Sequence, residues 1–157
     1  MLLHSSQRKI LNDLHRFRVI RCGRRFGKTT LAVEEIKCAA LEKERRIVYL
    51  APTFQQARDI AWEHMKKEFG AAAQVNESRL EIRVSNQQGT ESLIVLRGWE
   101  SVETIRGQAF DFMVIDEVAM MRNFWTNWEE VLRPTLTDRK GQVMFISTPS
   151  GFNHFYD

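Results

Sequence analysis

The 157 residues include two cysteines, Cys22 and Cys38, three prolines and eight glycines. With no CxxC and no close pair of histidines, neither a disulfide framework nor a structural zinc is expected, and the usage fits a reducing compartment. His4, His15, His64 and His154 are scattered and form no recognisable metal set. Long apolar runs are missing too. Those at 112–115 and 143–146 fall far short of the roughly 18 residues that a membrane-spanning helix requires. His4, Gln7, Arg8 and Lys9 interrupt the start before an apolar core of signal-peptide length can form. There are no repeats, low-complexity tracts or Pro/Gly-rich linkers. These absences exclude membrane-spanning, disulfide-stapled and fibrous classes, and predict a single intracellular domain over residues 1–157.

A hydrophobic share of 43% against 27% charged residues excludes a disordered tail. The formal charge of +3 is mild but unevenly spread. Residues 1–30 carry eight basic side chains against Asp13 alone, so the rest of the chain is net acidic. That asymmetry points to a local anion site, or, for the residues before Arg21, to a solvated basic helix.

Hydrophobic periodicity alternates strand with helix. Ile10, Leu11, Leu14 and Phe17 suit an amphipathic helix from about Ser5 to His15. Residues 17–22 and 46–51 read as strands, each followed by a helical pattern, the second from Phe54 to about Phe69. Residues 80–84 and 92–96 read as a hairpin with one wet face, and 110–115 as a buried parallel strand. A Trp- and Glu-rich helix follows, then a last strand at 142–147. Asn153 to Asp157 resembles the start of a helix cut short. The pattern predicts an α/β fold, a three-layer sandwich around a mostly parallel sheet.

The chemistry sits at strand ends. Between the first strand and its helix lies Cys22-Gly-Arg-Arg-Phe-Gly-Lys-Thr29. A phosphate-binding loop needs glycine where backbone N–H groups close around oxygens, lysine for the β- and γ-phosphates, and a hydroxyl for Mg²⁺. Gly27, Lys28 and Thr29 supply these, although Cys22 stands where the motif's first glycine would be. Asp116 and Glu117 close the apolar run 112–115, at the sheet end where ligands bind in parallel α/β folds. Asp116 suits the shell of Mg²⁺, and Glu117 suits a general base acting on water.

These motifs resemble those of the large terminase subunit of tailed bacteriophages, in its N-terminal ATPase motor domain, across nearly the whole chain. Gly23-Arg-Arg-Phe-Gly-Lys-Thr29 is similar to that family's deviant Walker A motif, and 114–117 to its Walker B. Residues 48–58 resemble the segment after its second strand, 105–111 its RG-containing loop, and Ser147-Thr-Pro149 its coupling motif. The resemblance implies a P-loop NTPase of the ASCE/RecA-like type. It implies ATP and Mg²⁺ as ligands, held by Gln7, Gly23, Arg24, Arg25, Phe26, Gly27, Lys28, Thr29 and Thr30, with Thr29 and Asp116 toward the metal. Gln7 would read adenine, or be a polar helix-surface residue. Arg24 or Arg25, with spacing favouring Arg24, would stabilise charge on the transferring phosphate. Thr148 would sense the γ-phosphate, or cap the following turn.

The implied activity is ATP hydrolysis that drives double-stranded viral DNA into a procapsid. Portal protein, the small terminase subunit and a homo-oligomeric ring are the implied partners, in the host or prophage-bearing cytoplasm, with no membrane involved. The family's nuclease domain has no counterpart here, so a fragment without DNA cleavage is expected. Two other readings stay open: one lobe of a helicase-like ATPase, and a nucleotide-binding remnant without turnover. Phe124, Trp125 and Trp128 are read as packing, not as a base-stacking platform. Arg97 and Arg106 would meet DNA phosphates or form intradomain pairs, and Cys22 would fill the loop's first position or sense oxidants.

Overall fold

The computed structural model describes residues 3–157. Seven strands form one sheet: β1 (Phe17–Arg21), β2 (Arg46–Ala51), β3 (Gln74–Asn76), β4 (Glu81–Ser85), β5 (Glu91–Gly98), β6 (Phe112–Asp116) and β7 (Gln142–Ser147). Their spatial order is β1-β7-β6-β2-β5-β4-β3. The first five in that order run parallel, and β4 and β3 extend the sheet antiparallel.

Helices cover both faces, as the alternation of strand and helix requires. Helix α1 (Ser5–Leu11) and helix α2 (Lys28–Glu42) pack on one face with α3, a helix over 54–69 whose middle, Ala57–Trp62, is π-helical. The other face carries the 3₁₀ turns of Trp99–Ile105 and α4, a helix over 124–135 with a π-helical stretch at Trp128–Leu132. Strand parity sorts the core between them. From β2, Ile47, Tyr49 and Ala51 enter the α2 face while Val48 and Leu50 enter the α4 face. From β6, Phe112 and Val114 go with the former, Met113 and Ile115 with the latter. This is the three-layer, mostly parallel α/β sandwich expected.

Several details differ from expectation. Helix α1 stops at Leu11, where the Asn12 N–H caps the Arg8 and Ile10 carbonyls, and Leu14 is left exposed. Strand β6 begins at Phe112; Phe110 precedes it as a buried core residue whose N–H donates to the Thr135 carbonyl. The 80–96 hairpin is present, with Ile82 and Val84 buried between solvent-facing neighbours, but β5 also pairs with β2 and so is internal. Strand β3 is exposed throughout and carries no apolar alternation to betray it. Residues 153–157 form turns, but the Asn153 side chain accepts the Phe155 N–H and the Asn153 carbonyl accepts the Tyr156 and Asp157 N–H groups, the bonds of an N-capped first helical turn.

Candidate nucleotide-binding site

The loop after β1 is shaped from its backbone outward. Arg25 (φ 66°) and Gly27 (φ 82°) both lie in the left-handed region, which folds successive N–H groups into a concave turn. Gly27 is required twice over: any side chain there strains the backbone, and a Cβ would sit 2.7 Å from Gln7 Nε2. Gly27 also precedes α2 without a side-chain cap, leaving that helix's first N–H groups free to meet an anion.

Gln7 is buried, and its amide is spent on the loop. Nε2 donates to the Phe26 carbonyl (3.1 Å) and the Gly27 carbonyl (3.2 Å), while Oε1 accepts the His4 N–H (3.0 Å). The His4 ring lies against Phe26 edge to face, at 4.9 Å. A contact between Gln7 and a base would be made in competition with these bonds. Nor is Gln7 a polar helix-surface residue, since it is buried.

Because β7 lies between β1 and β6, three distant segments meet at the C-terminal edge of the parallel strands. Lys28 Nζ donates to Thr148 Oγ1 at 2.6 Å and pairs with Glu117 Oε1 at 3.1 Å. Glu117 itself has φ 56°, a left-handed turn that ends β6 and lets adjacent carboxylates serve one site. Ser147 Oγ accepts the Ala119 N–H (3.1 Å) and donates to the Thr148 carbonyl (3.0 Å), tying the turn after Glu117 to the strand carrying Thr148.

Asp116 is buried on the α2 face. Its Oδ2 accepts the Tyr49 hydroxyl at 2.6 Å and its Oδ1 accepts the Glu117 N–H at 2.9 Å. Burial pushes the Asp116 carboxyl above the ordinary range, against the Tyr49 bond, and pushes the Tyr49 phenol well above its own. Thr29 and Thr30 stand half-buried in the first turn of α2. A hydroxyl and a carboxylate are hard oxygen donors that fit Mg²⁺, most of whose shell comes from phosphate and water in such sites. Among the described residues no three His, Cys, Asp or Glu side chains cluster as a metal cage.

Arg24 and Arg25 are exposed, with no hydrogen bond or ion pair to any described residue. The other basic residues near the N-terminus divide differently from the local charge count. Arg8 donates to the Leu3 carbonyl, Arg16 to the Gly141 and Leu136 carbonyls, and Arg18 to Glu35, so these three are structural. Arg97 and Arg106 form intradomain pairs, with Glu81 and Glu103 respectively. Cys22 is half-buried, its N–H on the Ser147 carbonyl, and burial raises its thiol pKa. Phe124 stacks on Trp99 and His154, and Trp128 packs on Phe145, so both are packing residues. Trp125 is half-exposed beside a cavity of about 540 Å³ at the β1 edge. That cavity is apolar and touches none of the loop, Asp116, Glu117 or Thr148. Sequence reasoning gave no site role to Tyr49 or His4, and placed Ser147 only within the coupling motif. A hydroxyl in the otherwise apolar run 47–51 was the one available signal for Tyr49.

Comparison with known proteins agrees with this geometry. The family described as "Terminase large subunit, T4likevirus-type, N-terminal" matches residues 19–157. The chain is 30% identical to the terminase large subunit of Thermus virus P23-45 over 98% of its own length, and 30% identical to that of Escherichia phage T5 over 90%. It spans 35% and 32% of those two proteins. Among solved structures, the large terminase ATPase domain of Thermus phage P74-26 superposes with a TM-score of 0.78 at 27% identity, covering 98% of this chain and 67% of that one. A large terminase from a thermophilic bacteriophage in complex with ADP shares the fold, with a TM-score of 0.74 at 17% identity, over 96% of this chain and 40% of that one. The matched segment contains the loop, both carboxylates and strand β7, and on these grounds the chain belongs to the terminase large subunit family, within its N-terminal ATPase region.

Proposed function

We propose that this chain binds and hydrolyses ATP to drive double-stranded viral DNA into a procapsid. The observation that carries the reading is the meeting of Lys28, Glu117 and Thr148 beneath a loop whose backbone is shaped for phosphate. The loop N–H groups from Gly23 to Gly27 and the start of α2 bind phosphate oxygens, and Lys28 reaches the β- and γ-phosphates. Phe26 and Thr30 flank that cradle. Thr29 and Asp116 would hold Mg²⁺ and its waters, and the cation would neutralise charge on the phosphates. Glu117 takes the proton of the attacking water, Arg24 meets charge growing on the transferred phosphate, and Thr148 reports the γ-phosphate to the strand behind it.

Lys28 cannot serve phosphate and Glu117 equally. An arriving γ-phosphate competes for the ammonium and releases the carboxylate to act on water. The ADP-bound structural neighbour supports a nucleotide ligand for this fold. Portal protein, small terminase subunit, a ring of like subunits and the host cytoplasm follow as proposals from family membership. DNA cleavage by this domain does not. Asp116 and Glu117 are the acidic pair following a buried strand, and the ATP site uses both.

The test is Mg-ATP affinity by calorimetry on folded wild-type and Lys28→Ala protein, with supercoiled plasmid incubated in parallel. The reading expects binding by wild type, its loss in Lys28→Ala, and intact plasmid with Mg²⁺ or Mn²⁺. Equal affinities would remove the loop assignment, and metal-dependent nicking abolished by Asp116→Ala would overturn the division of labour.

A further inference from the structure

Tyr49 is fully buried on β2 among aliphatic side chains of the α2 face, including Leu31, Ile36, Ile47 and Val114. Phenylalanine would fill that space equally well. A buried hydroxyl is costly unless it is bonded, so its presence at such a position calls for a partner. Its partner is Asp116 Oδ2, at 2.6 Å.

The sheet makes this contact inevitable. Tyr49 is level with Val114 in the β2–β6 register, and strand parity puts Val114 and Asp116 on the same face. The phenol therefore reaches diagonally, one pleat along, to the carboxylate that ends β6. With Oδ1 already accepting the Glu117 N–H, Asp116 is held at both oxygens and its side-chain torsions are fixed. Each oxygen keeps a free lone pair, on a carboxylate held in place by these two bonds.

We propose that Tyr49 is a positioning residue that orients the Asp116 carboxylate for the nucleotide-bound divalent cation. Fully buried, with its hydroxyl on Asp116, it acts through that carboxylate. Groups that orient a metal-holding carboxylate typically change metal affinity by about 10–100-fold when removed. Tyr49→Phe deletes one oxygen and keeps the ring, so packing is conserved while the carboxylate gains freedom to rotate.

This rests on the nucleotide-site reading above, and the experiment separates the two. ADP affinity is measured in EDTA, and Mn²⁺ affinity of the ADP-bound chain is read from its electron paramagnetic resonance signal, for wild type and Tyr49→Phe. The expected result is unchanged ADP affinity in EDTA and Mn²⁺ affinity reduced about 10-fold in the variant. Equal Mn²⁺ affinity in both proteins would overturn the Tyr49 proposal and leave the nucleotide site standing. No ADP binding by wild type would overturn both. Should Tyr49→Phe fold poorly, wild-type protein carrying 3-fluorotyrosine provides a second readout. The chain has two tyrosines, and Tyr156 is exposed and serves as the internal control. Mg²⁺ added to the ADP-bound chain is expected to move the fluorine resonance of Tyr49 and not that of Tyr156. A Tyr49 resonance indifferent to Mg²⁺ would sink the proposal.

Discussion

The two ends of the sheet treat charge in opposite ways. Around β3, β4 and α3 the charges are matched within the chain: Arg97 with Glu81, Arg83 with Glu91, Lys37 with Glu68, and Lys66 with Glu63 and Glu77. At the C-terminal edge of β1, β7 and β6, Arg24 and Arg25 have no partner among the described residues, and Lys28 sits in a polar cluster with Glu117 and Thr148. Arg25, Gly27 and Glu117 all occupy left-handed torsions within this one site. Backbone conformation does not follow the same division, however, since Leu80 (φ 51°) before β4 is left-handed as well, as are Asn123 and Lys140. The contrast lies in charge: the loop leaves two arginines unpaired where a ligand can use them, while the named pairs at the other end neutralise one another.

Mutation of the unmatched charges is the strongest way to test that division. Arg24→Ala is expected to lower kcat by about 10³–10⁵-fold with little change in nucleotide Kd, because the charge it meets grows in the transition state. Phosphate release and calorimetry on Arg24→Ala and Arg25→Ala check this. A loss confined to Arg25 would move the role by one residue, and no loss in either would make both ordinary surface charges. Next in size, Glu117→Gln should keep Mg-ATP binding and lower kcat by about 10²–10⁴-fold, the usual span for a general base. Normal turnover in that variant would place the base elsewhere.

Arg18 and Glu35 sharpen the comparison from the matched side. Both are buried, and the guanidinium meets both carboxylate oxygens, one at 2.7 Å, while also donating to the Ile10 carbonyl at 3.0 Å. Burial, opposed by Arg18, raises the Glu35 pKa. Arg18→Ala removes the partner and leaves a buried carboxylate, so chemical denaturation should report a loss of about 3–5 kcal/mol. Replacing both residues by leucine should recover most of it. A double variant as unstable as the single one would mean that Arg18 stabilises chiefly by anchoring α1.

Much of this was legible in the primary structure, and the illegible part has a common cause. The strands with strong patterns, such as β2 and β6, stand out because burial on both faces demands continuous apolar runs. The loop at 23–29 and the carboxylates at 116 and 117 stand out because their chemistry needs particular residue types at fixed spacing. The hidden features are tertiary. Nothing local places β7 between β1 and β6, yet that insertion brings Thr148 to Lys28. Gln7 reads as a helical polar residue until the fold lays α1 under the loop. The eight basic residues near the N-terminus look like one anion site, but three are consumed by carbonyls and by Glu35. Composition counts charges and cannot say which are already neutralised.

The smallest expected effect belongs to the outermost matched pair. Arg83 and Glu91 lie 3.3 Å apart across the β4–β5 hairpin, with side chains 50% and 46% exposed. At that exposure water and salt screen the attraction, and ordering two long side chains offsets much of what remains. Arg83→Ala should therefore change stability by less than about 1 kcal/mol, with the difference shrinking as salt rises. It should leave nucleotide affinity unchanged, because four strands lie between β4 and β1 in the sheet. Urea denaturation at low and high salt, with calorimetric titration of Mg-ATP, measures both quantities. A large salt-insensitive loss would mean that the hairpin depends on this pair for its register. A change in nucleotide affinity would mean that the two ends of the sheet are coupled, and the contrast drawn between them would fail.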